Sequence, residues 1–525
     1  MTGAFEADCL VIGSGIAGLS TALALSDRGR DVAVVTAAPS VVESNTVYAQ
    51  GGIILEAARM DPAALVDDIL EAGSHLNYRP AVQQLAELGP KLVRDVLIDK
   101  ARVEFDSDGG EQLHLTREGG HSVSRIVHRG DETGKSIEAS LYAYCAERPN
   151  IRFLSNTTAV NLLMTSHHGR DRTLIHEPAR CFGAFVFDQK SGEVYPIQAT
   201  HTVLATGGIG QIFLHNTNSR FSRGDGIALA DRAGCRLENL EYVQFHPTTF
   251  FQAGSPRFLI SEALRGEGAV LVNAAGERFL SKYLPTYPNP DLAPRDRVSQ
   301  AIHQELLSTG APCVFLDISH QPAEWIRERF PFVNRNCLRH GVDITKEPIP
   351  VVPGAHYSCG GVWVDLEGRT TIANLWAAGE VSCTGLHGAN RLASTSLLEG
   401  LVWGTRAGTA ISRQLETQSR SFPAIEPWQS GTAHVDPSFL SQDWLTLKHT
   451  MWNYVGLIKT EARLNRADGI LKELVRGIET FYRKAELSDA LIGLRHGSLV
   501  ALRVLEASLA NPKSRGCYQR GEWEI

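Results

Sequence analysis

The stretch Gly13-Ser14-Gly15-Ile16-Ala17-Gly18 constrains this chain more than any other feature. It is a G-x-G-x-x-G turn. Before it stands Cys9-Leu10-Val11-Ile12, an apolar run of strand type; after it Ile16 to Arg28 reads as a helix of small and apolar residues. Val32-Ala33-Val34-Val35 follows as a second strand. The three glycines serve different ends. The first takes a tight turn, the second lets a pyrophosphate reach the backbone, and the third lets helix and strand pack closely. The helix N-terminus offers unpaired N–H groups and its positive dipole end to phosphate. A βαβ start of this kind predicts an α/β fold with a Rossmann-like, parallel, doubly wound sheet. An acid expected about 20 residues on, to grip a ribose hydroxyl, is absent. The second strand ends at Thr36-Ala37, which leaves the Thr36 hydroxyl.

Two later strands belong to the same sheet by pattern: Thr202 to Ala205, ending in Thr206-Gly207-Gly208, and Asn374 to Ala378, ending in Gly379-Glu380. Between them, residues 246–350 hold a Pro-rich loop and helix and strand patterns of their own. They are expected to form an inserted α+β capping domain, a lid over substrate, so that the dinucleotide domain is discontinuous, 1–245 and 351–416. Residues 417–438, with Pro423, Pro427 and Pro437, read as a linker. Residues 439–525 read as a helical domain. Trp444, Leu447, Met451, Val455 and Ile458 make one apolar stripe, and Leu487, Leu491, Leu494, Leu502, Leu505 and Leu509 another. The tail from Ser514 ends early, which predicts trimmed packing there.

Composition removes several classes. The 525 residues carry a net charge of -7 with both signs interspersed, so nucleic acid is not an expected partner. No apolar run approaches the ~18 residues of a membrane span. Met1 to Asp8 has no basic region of signal-peptide type. Nine scattered cysteines without a C-x-x-C pair fit no disulfide framework, metal site or iron–sulfur cluster. A reducing, cytoplasmic location is expected.

Several stretches favour FAD over NAD. Ser44-Asn45-Thr46-Val47-Tyr48-Ala49-Gln50-Gly51-Gly52 is small, polar and ends in glycine, which suits backbone pressed against a flat ring. Glu380 at a strand end can meet a ribitol hydroxyl. Ser396-Leu397, opening a helix, can offer N–H groups to the electron-rich edge of a flavin. Ala159, Thr206, Gly207 and Asp225 complete the expected cofactor set.

With these motifs the chain resembles the flavoprotein family of fumarate reductases, succinate dehydrogenases and L-aspartate oxidases. The resemblance runs along essentially the whole chain. It is carried by Gly13 to Gly18, Tyr48 to Gly52, Gly224-Asp225-Gly226, Gln244 to Thr248, Glu262 to Gly268, Pro294-Arg295-Asp296, His356 to Gly361 and Gly388 to Ser394. Two positions discriminate within the family. Membrane-bound members carry a flavin-linking histidine where this chain has Asn45, which implies noncovalent FAD. Thr116-Arg117-Glu118-Gly119-Gly120-His121-Ser122 looks like the version in which a Glu faces a substrate amine. The resemblance therefore implies oxidation of L-aspartate to iminoaspartate, a hydride passing from Cα to flavin N5. It further implies reoxidation by O2, giving hydrogen peroxide, or by fumarate, and a product that feeds quinolinate synthase on the route to NAD.

The residue chemistry agrees. A four-carbon dicarboxylate needs two anion sites, and His246, His356, Arg391 and Ser261 supply charge-assisted and neutral donors, Arg391 being the best bidentate clamp. Glu118 reads the ammonium; a site built for that contact rejects succinate. The resemblance assigns proton exchange at substrate carbon to Arg295. A guanidinium hardly deprotonates, so that role requires a relay through Glu262 and Arg265. Two rival readings stand beside this one: a fumarate reductase in which Glu118 is incidental, and a noncatalytic docking subunit of a membrane complex.

Overall fold

A computed structural model describes residues 4–55, 62–108, 110 and 112–521. The chain opens with β1 (Phe5–Ile12), α1 (Ile16–Ser26) and β2 (Val32–Val35). It continues through β3 (Ile151–Leu154), β4 (Thr157–Met164), β5 (Cys181–Asp188) and β6 (Val194–Leu204). Next come β7 (Val243–Phe250), β8 (Val270–Val272), α2 (Arg295–Thr309), β9 (Val314–Asp317), α3 (Pro331–Arg339) and β10 (Ile349–Ser358). After β11 (Leu375–Ala377) and α4 (Ser396–Gln414), three helices finish the chain: α5 (Pro437–Tyr454), α6 (Glu461–Tyr482) and α7 (Asp489–Ala510).

The first sheet has the order β3-β2-β1-β6, parallel throughout, with β11 parallel beside β6. Ile12 pairs with Val35 and with Leu204, and Leu204 pairs with Ala377. Four strands thus end at one level. The wholly parallel expectation needs correction at one side. β6 is 11 residues long, and its first half pairs antiparallel with β5, which pairs antiparallel with β4. The sheet is mixed, with a ribbon growing from one edge.

Helix α1 is buried along all 11 residues because it lies between the sheet and α4. Close approach is possible because α4 presents Gly400, Gly404 and Gly408 at four-residue spacing. A Cβ at Gly404 would run into the Ala17 carbonyl, and one at Gly408 would lie 2.7 Å from the Thr21 carbonyl.

The second sheet, β7-β10-β9-β8, is antiparallel. It encloses a separate core that includes Phe250, Leu271, Ile302, Leu316, Phe330 and Val351. The residues of this core run from Phe250 to Val351, and the limits expected for the insertion, 246 and 350, fall inside β7 and β10. These two strands run from one core into the other.

The C-terminal helices add Leu447 and Met451 to the main core, while Leu491 and Ile492 pack on the ribbon with Phe185 and Phe187. The segment expected as a linker lacks long elements but is not loose. Phe422, Ile425 and Trp428 lie against the ribbon, the Trp428 ring 5.4 Å from that of Phe185. The tail is described as far as residue 521, and that part is packed: Cys517 N–H donates to Ala389 O (3.0 Å), and Arg515 Nη2 to Ser74 O (2.6 Å). No helix among the described residues is long and apolar enough to cross a membrane.

One buried acid joins the two cores. Asp131 Oδ1 accepts from Phe332 N–H and Oδ2 from Val333 N–H, both at 3.0 Å, which caps α3 from across the interface. Arg335 adds an ion pair with Glu132 at 2.9 Å. Asp131→Ala leaves both N–H groups without this partner. The expected loss is about 2 kcal/mol of stability, read as a lower denaturation midpoint, with faster proteolysis of residues 250–350. An unchanged midpoint means that water replaces the cap at no cost.

Candidate active site

Because four parallel strands end level, the turns that follow them converge. Gly13, Thr36, Thr206 and Gly379 border one cavity of about 1390 Å³, counting its open mouth. This is the crevice at the carboxyl ends of a doubly wound sheet. Gly13 takes φ +115°, where a side chain would meet the Ala205 carbonyl. Gly15 caps α1 without a side chain, and the Ile16 N–H donates to Thr46 Oγ1 at 3.1 Å. At the far end α4 begins at Ser396 with no side-chain cap from Thr395. Both helix N-termini border the cavity, through Ile16 and Ala17 on one side and Ser396 and Leu397 on the other. Gln50 Oε1 and Arg391 Nε are buried there without a protein partner. A long groove, two helix N-termini and unpaired polar atoms fit an extended anionic dinucleotide with a polar ring system.

Most residues expected from the sequence border this cavity: Gly13 to Ala17, Thr36, Ser44 to Thr46, Tyr48 to Gly52, Thr206, Gly207, Glu380, Arg391, Ser396 and Leu397. Five expected residues lie elsewhere. Gly18 packs beneath the Gly13 carbonyl. Val47 turns its N–H toward the buried Glu138 carboxyl. Ala159 pairs with Val186 inside the ribbon. Asp225 is engaged by Arg223 at 2.8 Å, and Arg223 also holds Asp489 at 2.9 Å. Asp225 therefore helps to fasten α7 to the body. Arg265 sits behind the wall, its Nη2 3.3 Å from Glu262 Oε1.

Asn45 is held at both ends of its amide. Its Oδ1 accepts from Ser219 N–H (2.7 Å), and its Nδ2 donates to Glu380 Oε2 (3.4 Å). Glu380 also accepts from Ser358 N–H at 2.9 Å, and burial pushes its carboxyl up to about 7.

Beyond Glu380 the cavity becomes cationic. The strand pair β7–β10 brings His246 opposite Gly354, two residues from His356, and the two rings stand 5.2 Å apart. His246 Nδ1 accepts from Thr248 N–H at 3.2 Å, so its proton resides on Nε2. His356 Nδ1 lies 2.8 Å from Thr217 Oγ1. Burial, the other histidine and the nearby arginines hold His356 well below its usual range; burial and the arginines do the same for His246. These shifts disfavour charge on either ring, which leaves the arginines as the fixed cations of this end. Arg391 Nη2 donates to Ser396 Oγ at 2.9 Å, and its guanidinium lies 4.9 Å over the Tyr357 ring. Tyr357 OH donates to Glu399 at 2.7 Å.

Arg295 Nε donates to Glu262 Oε2 at 2.5 Å. Burial works against the Glu262 carboxylate, but Arg295 and Arg265 outweigh it and hold it at about 2. Gln244 links the cations: its Oε1 accepts from Arg295 Nη1 (3.4 Å), and its Nε2 donates to Arg391 O (2.9 Å). The second acid, Glu118, rests over Gly51, where a Cβ would lie 2.5 Å from Oε1. Ser394 Oγ donates to its Oε2 at 2.6 Å. Burial raises the Glu118 carboxyl, against the opposing pull of Ser394 and Arg295. Gln244, Tyr357 and Ser394 stood inside the recognised motifs but were not singled out. Thr217 and Ser219 carried no sequence signal.

Residues 8–397 match the FAD binding domain family. The chain is 42% identical to L-aspartate oxidase of Pseudomonas aeruginosa, across 98% of this chain and 95% of that protein. It is 39% identical to chloroplastic L-aspartate oxidase of Arabidopsis thaliana, across 97% and 80%. Among solved structures, E. coli quinol fumarate reductase FrdA superposes with a TM-score of 0.88 at 28% identity, covering 99% of this chain and 92% of that one. Nearly all residues that border the crevice fall within the span matched by the FAD binding domain family, and the curated relatives extend past that span through the C-terminal helices. This chain belongs to the L-aspartate oxidase family of FAD-binding proteins.

Proposed function

We propose that this chain oxidises L-aspartate to iminoaspartate with noncovalently held FAD, and that oxygen (yielding hydrogen peroxide) or fumarate takes the electrons. The observation that carries this reading is Glu118, a carboxylate held by Ser394 within reach of the fields of Arg295 and Arg391. A dicarboxylate alone calls for no acid among its clamps; an ammonium between two carboxylates does. The relatives named L-aspartate oxidase support the same substrate.

Each group then has a task. Arg391, braced by Ser396 and Tyr357, clamps one carboxylate. His246 Nε2–H and the Ser261 hydroxyl donate to the other without adding charge. Glu118 orients the ammonium, and its carboxylate accepts a proton from the nitrogen, freeing the lone pair that drives oxidation at Cα. Bound FAD supplies the two-electron acceptor. Arg295, paired with Glu262, holds a proton on its guanidinium beside the substrate carbon when the reaction runs on fumarate. Glu262 stands between Arg295, which donates to it, and Arg265, with which it forms an ion pair at 3.3 Å; a proton relay through the three requires that second contact to become a hydrogen bond. Asn45 stands where covalent relatives carry histidine, and its amide is already engaged by Ser219 and Glu380. The residues 246–350 act as the lid that excludes water. The family resemblance leads the product to quinolinate synthase and NAD, and the scattered cysteines suit the cytoplasm.

Anaerobic mixing of the holoenzyme with L-aspartate and, in parallel, with succinate tests the reading. Flavin bleaching by L-aspartate alone is expected; bleaching by succinate alone transfers the chain to the fumarate-reductase class. Arg295→Leu should retain FAD and lower turnover by roughly 10²–10⁴-fold; normal turnover sinks that role. Glu118→Gln should lower kcat/KM for L-aspartate by roughly 10- to 100-fold and fumarate reduction far less. Equal losses make Glu118 a structural residue.

A further inference from the structure

The groups that would read amine and carboxylate lie on two loops far apart in sequence. The first leaves and re-enters through a bridge between Thr116 and Ile126, and Glu118 stands near its tip. The second runs from Arg391 to the start of α4. His121 joins them. Its N–H donates to Glu118 O at 3.2 Å, closing a turn around the acid. Its Nε2 lies 2.9 Å from Ala393 O, two residues beyond Arg391. A carbonyl only accepts, so Nε2 carries the proton. Burial pushes this imidazole down to about 4, and Nδ1 has no partner. The ring is a neutral, single-purpose donor, and it does not border the cavity.

The residue that follows Ala393 shows why this bond matters. Ser394 takes φ +58°, left-handed backbone that residues other than glycine rarely adopt. In that conformation its hydroxyl reaches Glu118, and Gly52 N–H reaches the same oxygen at 3.4 Å. Surrounding contacts must hold such a residue in place, and the His121–Ala393 bond is immediately beside it.

We propose that His121 is a positioning residue for amine recognition: it fastens the Glu118 loop to the backbone just after Arg391, so that the amine site and the carboxylate clamp keep one spacing. This rests on the L-aspartate reading above. A dicarboxylate without an amine uses the clamp but not the spacing.

The test compares holoenzyme carrying His121→Leu with His121→Gln, whose side-chain N–H can still reach Ala393 O. FAD content and melting temperature report whether each variant folds. For His121→Leu, kcat/KM for L-aspartate should fall about tenfold to a hundredfold, while the KM for fumarate stays at the wild-type value. His121→Gln should recover most of the loss. Equal losses on both substrates, no loss on either, or a Gln variant as impaired as Leu on L-aspartate would each overturn the proposal. Wild-type enzyme that L-aspartate fails to reduce removes the functional reading itself, an outcome seen before any variant is made.

Discussion

The register between β1, β6 and β11 is the constraint from which the site follows. Ile12, Leu204 and Ala377 lie side by side, so three chain segments that are distant in sequence turn at the same height. Each turn is then forced into contact with the others, and glycine becomes necessary at Gly13 because the Ala205 carbonyl fills the space of a side chain. The groove is a by-product of strands that stop together. A slip in this ladder would turn its buried side chains to the opposite face and separate the turns.

At the cationic end of the cavity the governing quantity is charge in a dry place. Arg295, Arg265 and Arg391 are concentrated there, and Glu262 absorbs part of their field through two ion pairs. Burial first, and those cations second, make charge on the two imidazoles costly. The result is a site of fixed guanidinium cations in which charged imidazoles are disfavoured. Glu118 is the exception, an acid that burial pushes toward neutrality and that Ser394 steadies.

Features encoded over short stretches were legible in the sequence. The βαβ start, the Gly13–Gly18 turn and the motif residues around His246, Arg295 and Arg391 needed only local pattern or resemblance. Features that depend on long-range pairing were not. Nothing local shows that the first half of β6 turns to an antiparallel partner while its second half stays parallel. Asp225 carries a motif signal, but Arg223 two residues earlier and Asp489 on a distant helix decide its surroundings. The segment 417–438 has the composition of a linker, yet Trp428 finds Phe185 more than two hundred residues away. His121 and Ala393 are separated by 272 positions, and their bond is visible only in the fold.

The strands β7 and β10 cross from the first core to the second, and their crossing portion holds His246 and His356. A rigid displacement of residues 250–350 must bend or twist these two strands, because they are the covalent links to the body. A lid movement of the kind proposed above would therefore shift the strand segments that carry both histidines.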